Sequence, residues 1–307
     1  MKHNRLTLLF VLIFIVFSLT ACVKRSQEPV RIKKLKVVTT IFPLYDMAKS
    51  IGNDKAEVYL LLPPGMEAHS FEPTPSDIVK INESDIFVFT GEVMEPWAGD
   101  VIRGAVNRKL LVVDAGRGTR IIRGVSGVAD GAPDPHIWLD FDNARIMAGN
   151  ILNAYQLKDS ADREFYENKG DDYRSKLADL DTLYKTTLAT CRNRIIVYGG
   201  HYAFGYLASR YGLKYLAAQG VSPDAEPTAN DLARLVEQIK KNKIRYIFFE
   251  ELTSPKIAET IAGETDAKML LLNAAHNLSR DQLDQGITFF DILKKDLDNL
   301  RVGLECK

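Results

Sequence analysis

The chain has 307 residues, 46% of them hydrophobic and 26% charged, and its 40 basic and 40 acidic side chains cancel. That composition excludes collagen-like, low-complexity and intrinsically disordered classes, and it leaves no basic stripe with which to hold nucleic acid. The length predicts about two domains with sizeable cores.

At the N-terminus, Lys2 and Arg5 precede an apolar run from Leu6 to Leu19, and small residues lead up to Cys22. This is the pattern of a secretory signal spanning 1–21. Counted to Ala21, the run reaches only ~24 Å as a helix against a hydrocarbon core of ~30 Å, which favours cleavage over a membrane span. Residues 22–34, polar and charged, follow as a flexible tether.

Apolar, β-branched runs at Leu35–Thr40, Glu57–Leu62, Asp85–Thr90 and Lys109–Val113 predict strands separated by helical stretches. Asp140 and Asn143 are cap candidates for a helix over Ala144–Leu157, and a second helix is expected to run to about Thr190. Its stripe of Tyr173, Leu177, Leu180, Tyr184 and Leu188 recurs at helical spacing, while Gly170 marks a place for a kink. Strands resume at Arg194–Tyr198, Leu213–Ala218, Ile244–Phe249 and Lys268–Leu272. The expected fold is α/β, with two doubly wound parallel-sheet lobes over 35–157 and 191–307 and a long linking helix over 158–190.

Four histidines remain once the signal is removed, and each lies just past a predicted strand end. His69 follows the second strand of the first half and His136 the fourth; His201 follows the first strand of the second half and His276 the fourth. In open α/β sheets the binding crevice lies beyond the carboxyl ends of the strands, so the four imidazoles are expected to converge on one metal ion between the halves. A single histidine near a strand end is usually a hydrogen-bonded structural residue. Here no mature histidine is left over for that role.

Imidazole nitrogen suits zinc, copper and nickel, whereas carboxylate-rich sites suit manganese, so Zn2+ is favoured over Mn2+. A ligating imidazole gives its other N–H to an acceptor, and Glu226 and Glu250 lie in loops that reach towards the crevice, although both read equally well as solvated surface carboxylates. Glu67 and Glu72 flank His69 and are assigned to the surface or to supporting contacts. Trp97 and Trp138 read as aromatic packing near the crevice. Cys191 and Cys306, exported into an oxidising compartment, form either a disulfide or two independent thiols.

A zinc hydrolase is the competing class. It needs an open water position that a closed four-ligand site lacks, and histidine spacings of 67, 65 and 75 residues contain no H-E-x-x-H pair. A nucleotide-binding reading fails because A-G-R-G-T-R-I at 115–121 puts Ile121 where the dinucleotide fingerprint needs its third glycine.

The strings P-P-G-M-E-A-H-S-F-E-P-T-P-S-D (63–77), D-P-H-I-W-L-D (134–140), G-G-H-Y-A-F-G-Y-L-A (199–208), E-P-T (226–228), F-F-E (248–250) and L-L-N-A-A-H (271–276) occur in order. Together, over about 35–305, they resemble the zinc- and manganese-specific solute-binding proteins of bacterial ABC transporters. The resemblance implies two α/β lobes joined by a long helix, a divalent metal ion between them, and delivery to a membrane permease, with no nucleic-acid partner. His69, His136 and His201 match the family's ligand histidines. His276 stands where zinc-branch relatives carry Glu, and Glu250 or Glu251 is the alternative fourth ligand. L-T-A-C at 19–22 resembles a bacterial lipobox, which makes Cys22 the lipid anchor of an exported, membrane-attached monomer in the periplasm or on the outer face of the cell membrane. Some lipoproteins resembling this family bind host matrix, so a surface-adhesin role stands as a further alternative.

Overall fold

The computed structural model describes residues 34–123, 131–221, 226–252 and 254–307. The export signal and Cys22 lie outside them. In chain order the elements are β1 (Leu35–Thr39), α1 (Phe42–Gly52), β2 (Ala56–Leu60), α2 (Pro75–Glu83), β3 (Ile86–Phe89), α3 (Ala98–Gly104) and β4 (Leu111–Asp114). Then come α4 (Phe141–Lys158) and α5 (Arg163–Leu188), followed by β5 (Ile195–Tyr198), α6 (Gly205–Tyr211), β6 (Lys214–Ala217) and α7 (Ala229–Asn242). The chain closes with β7 (Tyr246–Phe249), α8 (Lys256–Gly263), β8 (Lys268–Leu271), α9 (Arg280–Asp284) and α10 (Phe289–Gly303).

Both sheets are wholly parallel and share one plan, with strand orders β2-β1-β3-β4 and β6-β5-β7-β8. The reversal of winding beside β1 and β5 opens a crevice at the carboxyl ends of the strands. Strand β3, I-F-V-F, is buried throughout, as expected for a strand covered on both faces. Its exit is held by Glu95, whose carboxylate accepts from the Thr40 hydroxyl and from the N–H groups of Thr90 and Gly91. Burial nevertheless pushes this carboxyl up to about 7.

Reciprocal capping boxes start α2 (Thr74 with Asp77), α7 (Thr228 with Asp231) and α10 (Thr288 with Asp291). Asp140 caps α4, accepting from the N–H groups of Asp142 and Asn143. Asn143 is no cap: the helix begins earlier, at Phe141, and the Asn143 amide instead exchanges two hydrogen bonds with the backbone of Arg120.

Helix α5 runs unbroken through Gly170. The glycine permits close packing: a Cβ there would stand 2.7 Å from Leu152 Cδ2 on α4. The predicted stripe is buried, and its tyrosines reach both halves. Tyr173 donates to Asp46 on α1 at 2.8 Å, and Tyr184 donates to the Leu293 carbonyl on α10 at 2.5 Å. One continuous core includes residues of both sheets together with α4 and α5. Trp138 packs within it, and the partly buried Trp97 packs against it beside Phe71 and Phe87. Among the described residues, no helix is long and apolar enough to cross a membrane.

Cys191 and Cys306 form a disulfide across 115 residues of sequence, joining the lead into β5 to the end of α10. Beside it, Asn193 N–H donates to the Leu304 carbonyl at 3.0 Å. In the chain-entropy picture, a loop of about that length stabilises by about 5 kcal/mol, and a chain of this size changes by roughly 2–4 °C per kcal/mol. Reduction, or Cys306→Ser, is therefore expected to lower the melting temperature by about 10–20 °C. Superimposable melts with and without reductant would contradict this.

Candidate metal centre

The loop after β2 leaves the sheet with Leu61 and Leu62 N–H bonded to the Thr39 and Thr40 carbonyls, then turns at Pro63-Pro64-Gly65, where Gly65 has φ 82°. A glycine suits that left-handed position, and the turn brings His69 over the crevice. The Glu67 carboxylate fixes the loop by accepting the His69 N–H at 3.0 Å.

His136 follows Asp134-Pro135. The Asp134 Oδ1 accepts from both the backbone N–H of His136, at 3.0 Å, and its Nδ1, at 2.8 Å. With Asp134 ionised the proton sits on Nδ1, which leaves the Nε2 lone pair for the crevice. His201 follows Gly199-Gly200. A Cβ on Gly200 would stand 2.4 Å from Glu250 Oε2, so glycine lets that carboxylate close in to accept the His201 N–H at 3.2 Å. Glu250 Oε1 also lies 2.6 Å from His201 Nδ1, close but poorly aligned for a hydrogen bond. His276 ends the loop after β8, where Ala275 adopts φ 59°. Asn273 accepts the Ala275 N–H at 2.7 Å, and Asp296 accepts the Asn273 N–H at 2.9 Å.

Three of the four histidines, His69, His136 and His201, meet, while His276 groups beside them with Glu67 and Glu250. His136 Nε2 stands 3.2 Å from His69 Nε2 and 3.1 Å from His201 Nε2. Tetrahedral zinc with bonds of ~2.0–2.1 Å to nitrogen requires ligand nitrogens ~3.3–3.4 Å apart, so this set fits with little adjustment. His276 stands slightly apart, its ring 6.4 Å from His69 and 6.0 Å from His201, where the other three rings are 5.1–5.2 Å apart. One donor atom from each of Glu67, Glu250 and His276 lies within 4.8 Å of the other two. Glu226 and Glu72 are exposed and outside this group. Glu251 is largely buried behind it, its carboxyl oxygens lacking a well-aligned partner although the Ala274 backbone lies near.

The electrostatics follow from burial. Desolvation, aided by His201 and His276, lowers His69 to about 3, and desolvation holds His136 well below the usual imidazole range. His276 is lowered by burial, against the pull of Glu67. The Asp134–His136 contact is therefore a hydrogen bond from a neutral imidazole rather than an ion pair, and burial raises Asp134 itself to about 7. Sequence reasoning missed Asp134. The available signal was its place two residues before a histidine, with a proline between that bends the carboxylate back onto the ring.

The two halves are tied together around these loops. Trp138 Nε1 donates to the Ala274 carbonyl at 2.8 Å, and Phe42 N–H to the His276 carbonyl at 3.1 Å. Asn277 Nδ2 donates to the carbonyls of Pro63 and Met66, and Gly65 N–H to that of Leu278.

Residues 37–303 match the family described as ZnuA, zinc-uptake complex component A, periplasmic. The chain is 38% identical over 284 residues to the high-affinity zinc uptake system protein ZnuA of Bacillus subtilis, covering 89% of each chain. It is 31% identical to the zinc-binding protein AdcA of Streptococcus pyogenes, with 98% of this chain spanning 61% of that longer protein. Among solved structures, the Zn(II)-bound ZnuA-like domain of Streptococcus pneumoniae AdcA superposes with a TM-score of 0.77 at 34% identity, covering 89% of this chain and 99% of that one.

The depressed imidazole of His69 gives the metal-free protein a pH signature. Unfolded, this ring protonates below ~6.5; folded, it stays neutral until about 3. Its contribution is thus full above ~6.5 and is lost as pH falls towards the folded value, amounting to about 2 kcal/mol by pH ~5. In urea unfolding without metal, the wild type should lose about 2 kcal/mol more than His69→Gln between pH ~7.5 and ~5. Parallel profiles would show that the ring titrates freely.

Proposed function

Because the chain belongs to the zinc-uptake complex component A family, we propose that it captures one Zn2+ between its halves, through His69, His136, His201 and His276, and passes the ion to the membrane permease of an ABC importer. The observation that carries this reading is the approach of His69 Nε2 and His201 Nε2 to within 3.1–3.2 Å of His136 Nε2. Neutral imidazoles accept a metal without first losing protons, and four nitrogen donors favour zinc over manganese. Asp134 presets the tautomer of His136, and Glu250 steadies the His201 loop. Export and anchoring through Cys22 would place the monomer at the outer face of the membrane, where the permease collects the ion. A closed set of four imidazoles offers no open position for a reacting water, which argues against hydrolysis.

X-ray absorption of the zinc-loaded protein should show nitrogen-dominated ligation without sulfur. In competition with a zinc chelator, His276→Ala is expected to weaken binding by at least tenfold, while His276→Glu retains it and shifts preference towards manganese. An unaffected His276→Ala beside a collapsed Glu250→Ala or Glu251→Ala would move the fourth ligand to that carboxylate.

Asp134→Ala, which removes the acceptor behind His136, should weaken zinc binding by about 10–100-fold at unchanged stoichiometry. Affinity within about threefold of wild type would leave Asp134 with a packing role only.

A further inference from the structure

Of the six donors gathered at the crevice, His136, His201, Glu250 and His276 are buried, and only His69 and Glu67 keep partial exposure. Solvent therefore reaches the cluster along the loop that carries Glu67, whose neighbours Gly65, Met66 and Ser70 are exposed. Glu67 bonds the His69 backbone while its carboxylate group sits within 4.8 Å of donors from Glu250 and His276. Two buried atoms of that trio, Glu250 Oε1 and His276 Nδ1, have no hydrogen-bond partner.

We propose that Glu67, Glu250 and His276 form a second cation position beside the imidazole trio, entered past the partly exposed Glu67, where an arriving hydrated zinc ion is first held through oxygen before moving onto the three remaining imidazoles. This rests on the zinc-binding reading above and adds the route of entry. Carboxylate oxygen replaces hydration water readily but suits zinc less well than imidazole does, so the position holds the ion transiently and His276 is shared by both arrangements. The Glu67 charge, set at the open side, raises the local concentration of cations and hence the loading rate.

Stopped-flow mixing with zinc ion tests this, read through the fluorescence of Trp138, whose ring lies 5.4 Å from that of His136. Glu67→Gln keeps an oxygen to accept the His69 N–H and is expected to slow association about tenfold or more, with dissociation unchanged. Glu72→Gln, the same charge change at an exposed site four residues after Ala68, should keep the wild-type rate. In the unmodified protein the association rate should fall as ionic strength rises. An unchanged rate for Glu67→Gln, an equal slowing by Glu72→Gln, a salt-independent wild-type rate, or a loss carried wholly by faster dissociation would each overturn the proposal. The last would make Glu67 a ligand of the loaded state. A wild type that fails to bind zinc at all refutes the zinc-binding reading itself, a separate outcome.

Discussion

His136 holds its Nε2 within 3.2 Å of those of His69 and His201, and rings so close repel strongly once they are charged. Burial is the main safeguard. It disfavours protonation of His69, His136 and His276, so each ring presents a lone pair instead of a charge. Asp134 then decides which nitrogen carries the remaining proton of His136. A surface cluster of the same four residues would protonate near ~6.5, and its members would swing apart.

The second half meets the same constraint with buried acids. Glu250, Glu251 and Asp296 lie near one another, and burial raises Glu251 and Asp296 well above the usual carboxylate range. Asp296 nevertheless supports the site, because through Asn273 it shapes the turn that puts Ala275 at φ 59° and directs His276 inward. A left-handed alanine costs of order 1 kcal/mol, and the two hydrogen bonds in series offset it.

The apolar runs placed all eight strands because a parallel strand covered on both faces must be continuously hydrophobic, as β3 is. Expected strand ends differed from the observed ones by a residue or two, mostly overshooting, since strand termini carry the same side chains as the adjoining loops. The histidines were legible because strand order in doubly wound sheets dictates where strand ends converge. Contacts between residues far apart in sequence were less legible. That Gly170 clears space for Leu152, that Asn143 braces the Arg120 loop, and that Glu226 stays in solvent while Glu250 closes on His201 all depend on how helices and loops stack. The pairing of Cys191 with Cys306 likewise depends on α10 returning to the start of β5.

The hydrogen bonds from Trp138, Phe42, Gly65 and Asn277 that cross between the halves bear on how the molecule moves. A hinge opening that parted the halves at the crevice would break these five bonds, each worth about 0.5–1.5 kcal/mol net. Even near the middle of that range the opened form would be populated well below about 1%. Such a molecule does not sample wide jaws and clamp upon its cargo; it holds a nearly finished socket in which ligand rotamers and loop shifts do the accommodating. Unloading then becomes the harder half of the cycle, because whatever receives the ion must supply the binding energy that unseats one of these stitched loops.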